Sequence, residues 1–281
     1  MDSKEFLRRR RQFMRMIGKN AIAILPAAPV RQRNGDVAYA YRQDSHFHYL
    51  TGFPEPDAVA VLAPGRQHAE YVLFVRDRDA EREAWEGPRA GPTGAIERFG
   101  ADDAFPIADI DEILPGMIEQ RPQIYYSMGT HLDFDPHVQG WAGESSEFVA
   151  LNHVLDDMRL YKSRTEQSSL RRAAQIAVGA HRRAMRFAGP GRMEYEVMAE
   201  VLHEFRSHNA DLSYTPIVGG GANACVMHYH DNDQRLRDGD LLLLDAGCEL
   251  DYYASDITRT FPVNGRFSAA QRAAYDVVLE A

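Results

Sequence analysis

Two aspartates, Asp245 and Asp256, carry the clearest chemical potential in this chain. They lie in LLLLDAGCELDYYASDITRTFPVNG, Leu241 to Gly265. Leu241–Leu244 is apolar without alternation and reads as a strand covered on both faces. Tyr253–Phe261, rich in Ile and Thr, reads as the next strand. An antiparallel hairpin turning about Leu250-Asp251 sets Asp245 opposite Asp256, with Cβ atoms about 4.5–5.5 Å apart. Like charges so placed repel, and more strongly where water is excluded. Three remedies exist. One carboxyl can stay protonated. Arg259 can pair with both, although its place in the strand turns it to the other face. A divalent cation can bridge them. Two oxygen ligands suit a hard cation, Mg²⁺ or Mn²⁺, with Zn²⁺ or Co²⁺ if a histidine joins. Two carboxylates alone do not make a tight site, so further ligands must come from elsewhere. Two unrelated aspartates at strand ends are the plain alternative.

Other stretches invite chemistry less strongly. Gly219-Gly220-Gly221-Ala222-Asn223-Ala224 contains G-x-G-x-x-A, but a dinucleotide fingerprint needs a helix next. Cys225 to His230 reads instead as a strand, so a glycine loop that lets backbone approach a substrate fits better. His228 and His230 would share one face of that strand. They could ligate metal, move protons or simply sit at a surface. The chain has no G-x-S-x-G element, and neither Cys225 nor Cys248 has the surroundings of a nucleophile.

Positioning these residues takes a series of elements. Residues 4–17 read as a helix, with Asp2 and Glu5 at capping-box spacing. Its Arg8–Arg11 run reads as a solvated face rather than a polyanion site. Short strands follow at Ala21–Leu25, Ala38–Tyr41, Ala58–Leu62 and Tyr71–Val75, the last two joined as a hairpin by Pro64-Gly65-Arg66. Trp85-Glu86-Gly87-Pro88 reads as loop. Ile107–Ile118 is helical in spacing, Gln123–Ser127 a strand, and Phe148–Leu160 a helix. Strands alternating with helices predict an α/β domain up to about residue 160. Ser163 or Thr165 can cap a long helix over Glu166–Phe187, ended by Ala188-Gly189-Pro190-Gly191, and Glu194–Arg206 is a further helix. Ser268 and Gln271 open a last helix, Ala269–Glu280, whose Tyr275, Val277, Val278 and Leu279 need something to pack on. That helix stops at Ala281 without a cap, which predicts that the natural polypeptide continues.

Bulk composition narrows the class. The chain has 281 residues, 44% of them hydrophobic, and a formal net charge of −9. Nucleic-acid binders carry the opposite balance, so no nucleic-acid partner is expected. No window is apolar enough for a membrane span, and the N-terminus lacks a signal core. Two cysteines make no disulfide framework, which points to the cytoplasm.

Taken together, Asp245-Ala246-Gly247-Cys248-Glu249 and Ser255-Asp256-Ile257-Thr258-Arg259-Thr260-Phe261-Pro262 resemble the metal-binding signature of the Xaa-Pro aminopeptidases (aminopeptidase P), relatives of prolidase among the pita-bread metallopeptidases. Tyr49-Leu50-Thr51-Gly52-Phe53 with Glu55-Pro56-Asp57-Ala58-Val59, Trp85-Glu86-Gly87 with Gly94-Ala95, and Pro216-Ile217-Val218-Gly219 with Asn223-Ala224-Cys225 and His228-Tyr229 resemble the same family. The resemblance covers essentially the whole chain. It implies a mixed fold, α/β with α+β character. A creatinase-like N-terminal domain would span residues 1–161, and the first half of a pita-bread catalytic domain 162–281.

The resemblance further implies a two-metal site, most often Mn²⁺ with Zn²⁺ or Co²⁺ as alternatives. Asp245 and Asp256 would be two of five protein ligands, Asp256 touching both metals. A histidine and two glutamates would lie beyond Ala281, where a distal glutamate would be the general base, so this chain alone is not expected to be an active peptidase. His228 would touch substrate and help stabilise the tetrahedral intermediate; His230 has no such counterpart. Many relatives carry an acid where His46 stands, which leaves substrate preference open. Implied partners are peptides beginning Xaa-Pro and further copies of the chain, as a homodimer or homotetramer, with no membrane. Prolidase, which cuts Xaa-Pro dipeptides, and a non-catalytic binding module of the same fold are the alternatives.

Overall fold

The computed structural model describes residues 3–119, 121–144 and 146–281. The chain divides into two compact units, Met1–Tyr161 and Lys162–Ala281. Among the described residues no helix is long and apolar enough to cross a membrane. The expected capping pair of Asp2 with Glu5 involves Asp2, which lies outside the described residues.

The first unit runs α1 (Ser3–Ile17), β1 (Ala21–Pro26), β2 (Gln32–Asn34), β3 (Val37–Ala38), α2 (Ser45–Thr51), β4 (Val59–Leu62), β5 (Tyr71–Val75), α3 (Ala80–Glu86), α4 (Gly91–Phe99), β6 (Asp103–Pro106), α5 (Ile110–Ile118), β7 (Gln123–Tyr126), α6 (Asp135–Trp141), β8 (Glu147–Ala150) and α7 (Leu151–Leu160). Six strands form one mixed sheet in the order β6-β5-β4-β1-β7-β8, antiparallel on both sides of β4 and parallel elsewhere. The alternation of β1 builds two cores. Ala21, Ala23 and Leu25 face Phe13 and Ile17 of α1, Phe47 and Leu50 of α2, and Leu155 and Met158 of α7. Ile22 and Ile24 face Ile110 and Leu114 of α5 and Val138 of α6 on the opposite side.

Several expectations for this unit are corrected. The basic run of α1 is solvated only at Arg8 and Arg11. Arg9 and Arg10 are 1% and 3% exposed. Their guanidinium groups donate to the last carbonyls of α2, Arg9 to Tyr49 O at 3.1 Å and Arg10 to Leu50 O at 3.0 Å. Each also lies over a tyrosine ring, Arg9 over Tyr49 and Arg10 over Tyr71, both at 4.0 Å. The positions follow from helical spacing: Arg10 shares its face with Phe13 and Ile17, and its stem is long enough to carry the charge to a helix C-terminus. Trp85 and Glu86 close α3, capped by Asp79, rather than forming loop. Ala38–Tyr41 is a strand only to Ala38. The predicted helix from Phe148 begins as β8 and turns helical at Leu151.

The second unit runs α8 (Arg164–Phe187), α9 (Glu194–Ser207), β9 (Asp211–Leu212), β10 (Ile217–Gly220), a 3₁₀ turn (Gly221–Cys225), β11 (Leu241–Ala246), β12 (Cys248–Leu250), β13 (Tyr253–Ala254), β14 (Ile257–Pro262) and α10 (Ala269–Glu280). Ser163 opens α8 with a reciprocal capping box to Glu166. Two small antiparallel sheets, β10-β11-β14 and β13-β12-β9, lie against α8 and α9. Leu242, Leu244 and Ala246 face the alanines of α8, Ala173, Ala177, Ala180 and Ala184. The burial of β11 alternates strictly, so this strand is covered on one face, not both as its leucine run suggests. Leu241, Leu243 and Asp245 point to the face away from the helices. The segment Cys225–His230 is not a strand: the 3₁₀ turn ends at Cys225 and an irregular loop follows. Helix α10 has its Ser268–Gln271 capping box, and Val277, Val278 and Leu279 are exposed.

Candidate metal centre

The hairpin carrying the aspartates turns one residue later than its sequence suggests. Asp251 and Tyr252 both take positive φ, +52° and +69°, as a two-residue turn of the I′ kind requires. Asp245 therefore pairs with Thr258 and Ala246 with Ile257, while Glu249 pairs with Ala254. Asp256 falls opposite Gly247 rather than Asp245. The two aspartates are diagonal neighbours on one face, a looser relation than a directly opposed pair. Gly247 allows the strands to close at this point. A Cβ there would lie 1.8 Å from Ser255 O and 2.5 Å from Ser213 Oγ, a space no side chain can share.

A third residue joins the aspartates. The Tyr214 hydroxyl lies within hydrogen-bond reach of Asp245 Oδ1 and, at 3.0 Å, of Asp256 Oδ1. Tyr214 reaches them because its neighbour Ser213 is clamped to the hairpin. Ser213 N donates to Gly247 O at 3.1 Å and Ser213 Oγ donates to Ser255 O at 2.9 Å. Leu212 pairs with Cys248 just before it. Burial and the two carboxylates raise the Tyr214 pKa well above the ordinary phenol range. The hydroxyl therefore keeps its proton, and it has only one. That proton serves one carboxylate at a time, so the pair still lacks positive charge. Arg259 does not supply it; its guanidinium donates to Thr258 O.

This donor set fits a divalent cation. Two carboxylates aim at one point, on a face free of the helices, with residual negative charge and oxygen donors only. Among the described residues no third histidine, cysteine, aspartate or glutamate joins them closely enough to complete a ligand group.

His228 and His230 both sit on the irregular loop after the 3₁₀ turn. Both are exposed, with ring centroids 6.2 Å apart and planes 23° from parallel. Neither hydrogen-bonds to Asp245 or Asp256 among the described residues. The loop itself is firmly held. Tyr229, between the two histidines, is buried and its hydroxyl donates to Glu194 Oε2 at 2.8 Å. Asn232 accepts from Val218 N at 2.8 Å and donates to Pro216 O at 3.0 Å. The glycine run is also closely packed. A Cβ on Gly220 would meet Leu236 Cδ2 at 2.7 Å.

The remaining candidates lie elsewhere. His46 belongs to the first unit, where Arg159 Nη1 is 3.3 Å from its Nδ1. Burial, then Arg159, lowers its pKa, which keeps it neutral near pH 7. Cys248 is buried, with its thiol donating to Ala173 O at 3.3 Å, and burial raises its pKa. That is a core thiol, not a nucleophile. Tyr214 and Glu194 are the residues that sequence reasoning missed. Tyr214 stands far from both aspartates in the chain, and only the β9–β12 pairing brings it to them.

Comparison with known proteins gives the family. Residues 6–125 match the family described as Aminopeptidase P, N-terminal domain, and residues 168–281 match Metallopeptidase family M24. A Haemophilus influenzae Xaa-Pro aminopeptidase is 40% identical over 282 residues, covering 100% of this chain and 66% of its own length. The structure of Pseudomonas aeruginosa aminopeptidase PepP superposes with a TM-score of 0.98 at 54% identity, covering 100% of this chain and 66% of that one. A Zn-substituted Escherichia coli aminopeptidase P in complex with product superposes at 0.96 with 40% identity, covering 100% and 67%. The chain thus spans about two thirds of the length of these relatives. With matches to both domain families and to solved structures along its full extent, the chain belongs to the aminopeptidase P family of metallopeptidases.

Proposed function

We propose that this chain supplies the N-terminal domain, residues 1–161, and the first half of the catalytic domain, residues 162–281, of a metal-dependent exopeptidase. Its substrates are peptides with proline in second position, from which it removes the first residue. The observation that carries this reading is the convergence of Asp245 and Asp256 on a single hydroxyl proton, with charge left over for cations. The ligand set is completed by a histidine and two glutamates outside this chain, and the ions are two, Mn²⁺ first and Zn²⁺ or Co²⁺ as substitutes. Asp245 and Asp256 would hold two of the ligand positions, and a bound divalent metal would supply Lewis-acid polarisation of a carbonyl and a nucleophilic water near neutral pH.

Holding and orienting fall to the chain's own residues. Asp245 and Asp256 hold the cations on the face away from α8 and α9. Tyr214 fixes the angle between the two carboxylates through its hydroxyl. His228, exposed on its pinned loop, donates a ring N–H to the carbonyl oxygen as negative charge gathers on it. The protein works in the cytoplasm as a homodimer or homotetramer. Two cysteines that form no disulfide support that compartment.

The test is turnover of Ala-Pro-Ala by the full-length enzyme with Mn²⁺, abolished by Asp256→Ala. Absence of turnover with Mn²⁺, Zn²⁺ and Co²⁺ alike would overturn the reading. Cleavage of Ala-Pro without cleavage of Ala-Pro-Ala would reassign the protein as a dipeptidase.

A further inference from the structure

Glu194 is a carboxylate with 0% exposure and, among the described residues, no ion pair. It opens α9, a place where an acid usually serves the helix's own free amides. Glu196 does that job instead, accepting from Met193 N at 2.7 Å. Every side-chain bond of Glu194 goes to the stretch from the end of β10 to the segment before β11. Its Oε1 accepts from Gly220 N at 2.8 Å and Asn223 Nδ2 at 3.1 Å. Its Oε2 accepts from Tyr229 OH at 2.8 Å and Gln234 N at 2.9 Å. An ionised carboxylate has about four lone-pair sites, and four donors fill them. The backbone N–H of Glu194 also donates to Gln234 O at 3.0 Å.

A buried anion held only by dipoles costs several kcal/mol of desolvation, and an apolar residue would fill the space more cheaply. What the anion adds is geometry. Its four donors run from the end of β10 at Gly220 through the irregular segment as far as Gln234, and three of them lie outside any sheet. At the centre of that segment Tyr229 points inward to Glu194, and its two neighbours, His228 and His230, point outward. Burial, then the bond to Glu194, pushes the Tyr229 pKa up to about 12, so this hydroxyl stays a donor across the working pH range.

We infer that Glu194 is a positioning residue for His228: through Tyr229 and the amides of Gly220 and Gln234 it sets where the His228 ring meets the substrate. The inference rests on the proposed role of His228 at the scissile carbonyl. Glu194 touches no substrate and no metal ligand.

Double-mutant kinetics on the full-length Mn²⁺-loaded enzyme with Ala-Pro-Ala test it. Tyr229→Phe removes one donor and little volume. Glu194→Gln sets an amide N–H₂ against two existing donors. Each is expected to lower kcat by about tenfold to a hundredfold, because a misplacement of about 1 Å has that cost. KM should move by less than about threefold and bound Mn²⁺ should be unchanged, since the loss falls on the transition state. In a His228→Ala background, adding Tyr229→Phe should change kcat by less than about twofold, because residues that act as a unit are not additive. A structural role alone would lower kcat by the same factor in both backgrounds, and that outcome overturns the inference. So does a Tyr229→Phe enzyme with wild-type kcat while His228→Ala is impaired. If His228→Ala itself keeps full kcat, the role given to His228 fails and this inference fails with it. Should Glu194→Gln not fold, the Tyr229→Phe arm decides alone.

Discussion

The second unit holds two carboxylate centres of opposite character. At Glu194 four donors meet four lone-pair sites, and no solvent reaches the group. At Asp245 and Asp256 two carboxylates share one tyrosine proton, and Asp256 is exposed. The first centre is finished by the chain itself. The second is held in shape and left short of positive charge. A polar cluster whose hydrogen bonds close on themselves stabilises a fold, whereas one held rigid but unbalanced is prepared to bind something.

Exchanging one acid at each centre should separate them most sharply. Glu194→Ala leaves four donors without acceptors and should cost at least about 3 kcal/mol in urea unfolding. Asp256→Asn relieves repulsion and should leave stability within about 0.5 kcal/mol of the parent, or raise it. Equal losses from the two substitutions would erase the distinction.

The first unit offers a cationic counterpart of the finished kind. Arg10→Met removes the donor to Leu50 O and the contact with Tyr71, and a loss of about 2 kcal/mol is expected in the same assay. Arg8→Met, on the exposed side of α1, should change stability by less than about 0.5 kcal/mol. If both behave alike, burial of Arg10 contributes nothing.

Acid should expose a third contrast. Burial, with Arg9 nearby, lowers the His48 pKa from 6.5 to about 3. The folded state therefore binds the proton less well than the unfolded state. Stability from this group is complete above pH 6.5 and falls as pH drops from 6.5 towards 3. The slope should stay below the limit of about 1.4 kcal/mol per pH unit. Comparing His48→Phe with the parent between about pH 6.5 and 5 checks it: the variant should show a flatter loss, and identical slopes would refute the assignment.

Tyr214→Phe should shift stability only modestly, by about 1 kcal/mol or less. Its effect should appear instead in Mn²⁺ affinity of the full-length protein, weakened about tenfold by calorimetry. Unchanged affinity would mean that the two aspartates hold their positions without the tyrosine.

Legibility from sequence followed the locality of each signal. The β4–β5 hairpin was readable because Pro64-Gly65 sits inside the turn it makes, and α8 because Ser163 and Glu166 cap it within one turn. The two aspartates were readable as a pair on one face. Their register was not, because the turn uses Asp251 and Tyr252 at positive φ in place of an Asn-Gly or Asp-Gly signal, and Tyr rarely adopts that conformation. Arg9 and Arg10 look solvated in sequence because the rings and carbonyls that cover them come from Tyr49, Leu50 and Tyr71. Glu194 looks like an ordinary first-turn acid, and its four donors become visible only once residues 220–234 fold back on α9. The histidine loop reads as a strand from its sequence for the same reason: side-chain anchors, not a ladder, give it order.

The turn at Asp251-Tyr252 also sets a parity. Strand side chains alternate with period two, so a hairpin tip one residue longer or shorter would carry Asp256 to the helix-covered side while Asp245 stayed where it is. The spacing between the two acids can therefore drift only in steps of two, and a single-codon insertion or deletion at the tip would disable the centre without altering any residue in it.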